Sequence, residues 1–261
     1  MKRNELIGIG AAIAMPLLIY GISNLQGIYF TFSSIVLHFI IELFSIIVGI
    51  VIFYFAVQGF RKTGDRQILL LGSAFLLLGL IDMFHTFAFK NMPAIIVPTG
   101  AAYATYYWIL SKVFGVVLLF LSILLPNAVV NEKYRKKLVS CATVSIVIFS
   151  LFIGWFVANY IEILPPVFIE GVGLTPLKIY LEYSVMLLLA VTSLICLRMF
   201  MKTGNKVLYW FILGFIFFIM SELSFTFYKD VWDTYIWLGH LFKVASYSLF
   251  LMGLVRLGKK S

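Results

Sequence analysis

Long runs of apolar positions, interrupted by short polar segments, dominate the pattern along the chain. A helix needs about 20 predominantly apolar residues to cross the hydrocarbon core of a bilayer. Eight segments meet this requirement, at roughly 6–23, 30–58, 67–89, 104–126, 138–161, 177–200, 207–228 and 235–256. Short connections such as Thr63-Gly64-Asp65 and Thr203-Gly204-Asn205 carry turn signals. The pattern predicts an all-α, polytopic transmembrane bundle of about eight helices, forming a single domain over residues 1–261.

The composition supports a membrane environment. Hydrophobic residues make up 62% of the chain and charged residues only 12%, about half the share of a soluble domain. A net charge of +9 would suggest nucleic acid as the partner of a soluble protein. Here the basic residues form short clusters between the apolar runs, so we expect a lipid bilayer as the partner and no nucleic acid. Cys141 and Cys196 lie in apolar segments without CxxC spacing, which predicts neither a disulfide framework nor a structural zinc site.

The basic residues also predict the topology. With eight spans, 15 of the 20 basic residues lie on one side of the membrane, and loops rich in lysine and arginine are cytoplasmic. Both chain ends are therefore predicted in the cytoplasm, with the protein in the cytoplasmic (inner) membrane. The first segment has an alternative interpretation as a signal peptide, with Gly21 and Ser23 as a weak cleavage match. Its length favours a retained span, and cleavage would leave seven helices in the same orientation.

The position of the ionisable residues across the membrane is the feature of the sequence that bears most on function. Charged side chains inside a membrane are costly and commonly functional. All three histidines and eight of the eleven acidic residues fall in the extracytoplasmic half or its loops. The candidate ligand-binding residues are His38, Glu42, Asp82, His85, Lys112, Lys178, Glu182, Glu222, His240 and Lys243. Spacings of three or four residues put members of one helix on one face, which Tyr247 continues on the last helix. They predict a polar pocket that is open toward the outside and closed toward the cytoplasm, and in which His38, Glu42, His85, Glu222 and His240 converge.

Several chemistries could use this pocket. His38, His85 and His240, with nearby carboxylates, are ligand types for Zn²⁺, Cu²⁺ or non-haem iron. Two histidines could hold a b-type haem, lysines and histidines could bind a small anion, and histidines could respond to external pH. The outer half and its loops contain eight acidic and five basic residues. This excess of negative charge favours a metal ion or protons over an anion as the bound ligand. The structural alternative is an interhelical network of satisfied ion pairs.

Aromatic residues cluster at the predicted outer ends of the helices. They are Tyr103, Tyr106, Tyr107, Trp108, Trp232, Tyr235 and Trp237. The pattern favours an interfacial aromatic belt, from which some members could also cover the pocket.

Four ordered blocks of this sequence resemble the MASE3 family of membrane-associated sensor domains. They are residues 38–46 (HFIIELFSI), 82–92 (DMFHTFAFKNM), 173–183 (GLTPLKIYLEY) and 221–243, which begins SELSFTFY and ends GHLFK. The resemblance covers residues 6–256. It implies the candidate residues given above, with Lys90 added and Lys112 left out. In that family the domain precedes histidine kinase or diguanylate cyclase output domains. Because the sequence reaches only Ser261, we expect either an isolated sensor module or one that acts through a separate partner.

We therefore expect a sensor module for a small molecule or ion, acting on a cytoplasmic kinase or cyclase output domain and without catalytic activity of its own. The alternatives are a solute or ion transporter, a haem- or quinone-linked redox protein, and a membrane enzyme that uses a metal. A transporter would require broken helices and a midplane site, whereas mid-helix proline is limited to Pro16. The sequence does not show whether the protein is a monomer or a homodimer.

Overall fold

The computed structural model describes residues 3–25, 34–126, 128–229 and 232–258. In this part of the chain, eight helices are long and apolar enough to cross a membrane. They are α1 (Arg3–Leu25), α2 (Ile35–Thr63), α3 (Arg66–Ala88), α4 (Ala101–Leu124), α5 (Glu132–Tyr160), α6 (Pro176–Thr203), α7 (Lys206–Ser224) and α8 (Thr234–Gly258). A 3₁₀ turn (Ile161–Ile163) and a short antiparallel hairpin, β1 (Phe168–Ile169) with β2 (Gly173–Leu174), connect α5 to α6. The predicted all-α transmembrane bundle is confirmed.

Some helix ends differ from the apolar segments. The fifth helix starts at Glu132 and not at 138, because the Asn131 side chain caps it by accepting a hydrogen bond from the Lys133 amide. The basic run of this region is therefore helical and not part of a loop. The seventh helix ends at Ser224 and not at 228. Residues 30–33 of the predicted second segment, and Lys2, Asp230, Lys259 and Lys260 of the charge count, lie outside the described residues.

The two predicted Thr-Gly-Asx turns have the same design. Gly64 and Gly204 end α2 and α6 in the left-handed conformation, with φ of 73° and 64°, and their amides donate to the carbonyls of Phe60 and Phe200. The next residue, Asp65 or Asn205, then caps the following helix with its side chain. A side chain in place of either glycine would be strained at this φ. Each turn therefore reverses the chain within three residues.

Six of the helices form a closed ring. In the order α2, α3, α4, α6, α7, α8 each packs against the next, and α8 returns to α2. The remaining two are peripheral, with α5 against α3 and α1 against α7. Contacts between Tyr20 and Ser224, and between Glu5 and Lys206, attach α1 to α7 near its two ends. The ring encloses a common interior, and this interior is where the site lies.

The outward faces of the ring helices are apolar. On α2, Ile40, Ile47 and Tyr54 are exposed, whereas Glu42 and Gly49 on the inner face are buried. Exposed aliphatic and aromatic side chains on a membrane-capable helix are suited to contact with lipid. Both the lipid-facing and the interior-facing sides of these helices are rich in apolar residues. The polar residues are therefore the main indication of which side faces the interior of the ring.

We expect the chain ends on the cytoplasmic side, from the asymmetry of the basic residues. A reporter that fluoresces only in the cytoplasm, fused after Ser261, should be active, and a phosphatase that works only outside should be inactive at the same position. The opposite pair of activities would contradict the predicted orientation.

Candidate functional site

Every helix of the ring contributes ionisable side chains to its interior. All ten candidate residues predicted from the sequence are buried, none with more than 6% of its surface exposed. They are His38 and Glu42 on α2, Asp82 and His85 on α3, Lys112 on α4, Lys178 and Glu182 on α6, Glu222 on α7, and His240 and Lys243 on α8. The structure divides them into two neighbouring groups.

Alternating charges hold the first group together. Asp82 accepts hydrogen bonds from Lys112 through both carboxylate oxygens, at 2.9 Å each, and its Oδ2 lies 2.8 Å from Lys243 Nζ. Lys243 Nζ also donates to Glu42 Oε2 at 2.7 Å. Two carboxylates and two ammonium groups from four helices thus form one chain of ion pairs. Because the charges balance, this part of the network can be buried without counter-ions.

The three histidines adjoin the free end of this chain. The ring centroid of His38 lies 4.9 Å from that of His240 and 5.6 Å from that of His85. Glu42 Oε1 lies 2.9 Å from His240 Nε2. One ligand atom from each of these four side chains can be chosen so that all four lie within 4.8 Å of one another. We call His38, Glu42, His85 and His240 the histidine cluster.

Backbone contacts orient two of these rings. His85 Nδ1 lies 2.8 Å from the Ala104 carbonyl oxygen, and His240 Nδ1 lies 2.6 Å from that of Ile236. A carbonyl only accepts hydrogen bonds, so Nδ1 is the protonated nitrogen in both rings. In a neutral ring Nε2 then carries the lone pair. His85 Nε2 is buried without a hydrogen-bond partner, whereas His240 Nε2 faces Glu42 Oε1. Both nitrogens of His38 are likewise buried and unpartnered.

Aromatic rings enclose the histidine cluster. Phe89 stacks on His38 with centroids 3.7 Å apart, and the Trp108 ring lies 3.9 Å from Lys112 Nζ and 4.7 Å from Lys243 Nζ. A cavity of about 20 Å³ adjoins the cluster, enough for about one water molecule. Its lining residues are His85, Phe89, Ala104, Thr105, Trp108, Phe225, Tyr228, Ile236 and His240.

The predicted aromatic belt is wrong for three of its members. Tyr106, Tyr107 and Trp108 are buried inside the bundle, and the Tyr107 hydroxyl donates to the Gly154 carbonyl. The reason is helical spacing, since Trp108 precedes Lys112 by four residues and so shares its inward face. That spacing was a signal in the sequence that could have placed Trp108 in the site.

The second group consists of Lys178, Glu182 and Glu222. Thr175 caps α6 and Pro176 follows at its first position, so Lys178 lies within the first turn. Lys178 Nζ donates to the Phe225 carbonyl and lies 2.8 Å from Glu182 Oε1. The carboxyl groups of Glu182 and Glu222 lie within hydrogen-bonding reach of each other. Glu222 is thus part of a carboxyl pair in the second group and does not join the four residues of the histidine cluster.

Two further residues named from the sequence belong to neither group. Lys90 pairs with Glu170 at 2.5 Å near the hairpin, and both side chains are substantially exposed. Tyr247 is fully buried one turn beyond Lys243 and packs edge-on against Phe75 and Phe218. With Phe75, Phe215, Phe250 and other apolar side chains it forms a packed layer below the charged residues, which we call the apolar floor.

The ring and its interior define a polytopic membrane protein with a buried polar site that is closed at one end by apolar packing. Residues 19–258 match the family model of MASE3, described as a membrane-associated sensor domain. The chain belongs to the MASE3 family. Neither a curated protein nor a solved structure matches it. The resemblance seen in the sequence is confirmed, and a sensor domain is in keeping with the expectation of no catalytic activity.

Proposed function

We propose that this sensor domain binds a transition metal ion of the Zn²⁺ or Cu²⁺ class in the histidine cluster, and passes the signal to a cytoplasmic kinase or cyclase output domain. The observation that carries the proposal is the convergence of four buried ligand side chains from α2, α3 and α8. Three imidazoles and one carboxylate form a donor set typical of these ions. The family description supports the sensor role, and the asymmetry of the basic residues supports the cytoplasmic membrane as its location.

The orientation of the histidines supports a metal over a purely structural network. A metal-binding histidine commonly donates its other ring nitrogen to a carbonyl or carboxylate, which fixes the ring and the tautomer. His85 and His240 each have this arrangement, with Nε2 directed toward the cluster, where Nε2 of His85 and both nitrogens of His38 have no hydrogen-bond partner. A structural network would be expected to satisfy these buried nitrogens, because an unpaired buried polar group costs about 1–3 kcal/mol.

The size of the space favours an ion over a haem. The cavity beside the cluster measures about 20 Å³, whereas sites for drug-sized organic ligands occupy roughly 300–1,000 Å³. The His38 ring also lies in direct contact range of the other two rings. A porphyrin would have to separate these side chains, while an ion requires only small side-chain rotations. The transporter alternative has less support, since the described ring helices contain no internal proline.

Charge balance suggests how binding could reach the cytoplasm. Glu42 is bonded to Lys243 on α8 and is also the one carboxylate of the histidine cluster. A divalent ion would add two positive charges close to Lys243, whose pairs are balanced without it. Binding should therefore favour an arrangement in which the Lys243 side chain shifts away from Glu42, while the ion ties α8 to α2 through His240 and Glu42. A ligand shifts a conformational equilibrium only through such a difference between two states.

The test is a titration of the purified full chain with Zn²⁺ and with Cu²⁺, followed by thermal unfolding. A ligand that binds only the native state at 100 times its Kd adds about 2.7 kcal/mol of stability. We expect a rise in unfolding temperature for wild type and little or none for His85→Ala and His240→Ala. Glu162→Gln removes an exposed acid outside the cluster and should respond as wild type. A wild type that responds to neither ion, or variants that respond as fully as wild type, would contradict the metal site.

A further inference from the structure

The carboxyl pair of α6 and α7 holds a feature that the metal proposal does not use. Glu182 and Glu222 are fully buried, and their carboxyl groups lie within hydrogen-bonding reach of each other. Lys178 Nζ lies 2.8 Å from Glu182 Oε1, whereas neither oxygen of Glu222 accepts a hydrogen bond from an N–H or O–H donor among the described residues. Two ionised carboxylates cannot bond to each other, because neither has a hydrogen to donate.

The balance of buried charges also argues against two ionised carboxylates in this pair. The first group is balanced, with Glu42 and Asp82 against Lys112 and Lys243. The second has two carboxyl groups and a single cation, Lys178. If all are ionised, one negative charge is uncompensated in the interior of the bundle, at a cost that the protein avoids by binding a proton.

The groups that act on the pair from other elements are already paired or neutral. Lys112 on α4 lowers the cost of a charge on Glu222, but both of its hydrogen bonds are to Asp82. Tyr247 on α8 and Tyr228 after α7 also face the pair, and both are neutral phenols when protonated. The hydroxyl of Tyr228 lies 3.3 Å from Thr105. Among the described residues, Lys178 is therefore the one cation that forms an ion pair with these two carboxyl groups.

We propose that Glu182 and Glu222 form a proton-binding site that holds one shared proton between them at neutral pH. The proton completes a carboxyl–carboxylate hydrogen bond, and the remaining charge is balanced by Lys178. Loss of the proton would place a second negative charge near Lys112, in competition with Asp82. The site would thus connect pH to the ion pairs of the first group. The inference is independent of metal binding in the histidine cluster.

Infrared spectroscopy of the purified, metal-free full chain tests this directly. A protonated carboxylic acid has a carbonyl stretching band well above the carboxylate region, and the band moves to lower frequency in D₂O. We expect one such band in wild type at neutral pH. Glu222→Gln and Glu182→Gln should each lose it, because the single remaining carboxylate is then balanced by Lys178. Glu162→Gln, at an exposed acid, should keep it.

Absence of the band from wild type, or its persistence in either Gln variant, would overturn the proposal. The unfolding temperature provides a second measurement for Glu222→Gln. Replacing a neutral carboxyl by a neutral amide of the same shape should leave it near the wild-type value. A marked rise would mean that the substitution relieves repulsion between two ionised carboxylates, and this too would overturn the shared proton.

Discussion

Replacing Lys243 by methionine is expected to lower the free energy of unfolding by about 3–5 kcal/mol. The Lys243 ammonium contacts Glu42 at 2.7 Å and Asp82 at 2.8 Å, and all three side chains are buried. Methionine fills similar space but leaves Glu42 without an ammonium partner and Asp82 with only one. The change should be measured by reversible unfolding in mixed detergent micelles.

Two further variants separate the effect of the lost charge on stability from the effect of the changed side-chain shape. Lys137→Met removes an exposed lysine of α5 and should change stability by no more than about 0.5 kcal/mol. The double variant Lys243→Met with Glu42→Gln removes one charge of each sign, and it should recover about half of the loss because the two positions are directly coupled. If Lys243→Met is no more destabilising than Lys137→Met, the buried ion pairs are not what holds α8 to α2 and α3.

The second large effect concerns the apolar floor. Phe250 on α8 is fully buried, with ring centroids 5.0 Å from Phe75 and 4.9 Å from Phe215. Helices unfolded in a membrane remain in an apolar medium, so Phe250→Ala loses packing more than hydrophobic transfer. A void of roughly 100 Å³ costs about 2 kcal/mol at 24 cal/mol per Å³. We expect that loss in the same unfolding measurement, with Zn²⁺ affinity nearly unchanged.

Phe152→Ala is the matched control, because Phe152 lies on α5 with about half of its surface exposed. The same truncation there leaves no internal void and should cost little. Equal losses for the two variants would contradict the packed floor. A Zn²⁺ affinity that falls with Phe250→Ala as strongly as with a histidine variant would contradict the separation of the floor from the cluster.

The interior of the bundle was largely predictable from the sequence because lipid makes exposed charge costly. Depth along each apolar run selected ten residues, and the structure buries all of them. Spacing correctly put Lys178 with Glu182 and His240 with Lys243 on single helix faces. Helix number followed equally directly from run length. These conclusions depend on one helix at a time, and the sequence is sufficient for that.

The contacts between side chains on different helices could not be predicted in the same way. Lys243 pairs with Glu42 and Asp82 because α8 closes the ring against α2, and no pattern within α8 carries that information. For the same reason Glu222 was expected among the histidines, whereas α7 contacts α6 and places it beside Glu182. Buried Trp108 was assigned to the interface because an aromatic residue near a helix end fits both locations.

Zinc K-edge X-ray absorption of the full chain with equimolar Zn²⁺ tests most directly whether His38, Glu42, His85 and His240 form a metal centre. We expect four-coordinate zinc with nitrogen and oxygen ligands at about 2.0–2.1 Å and outer-shell scattering from imidazole rings. The imidazole signal should weaken in His38→Ala and stay unchanged in Glu162→Gln. Zinc with an oxygen-only shell and no imidazole scattering, in wild type as in His38→Ala, would contradict the account.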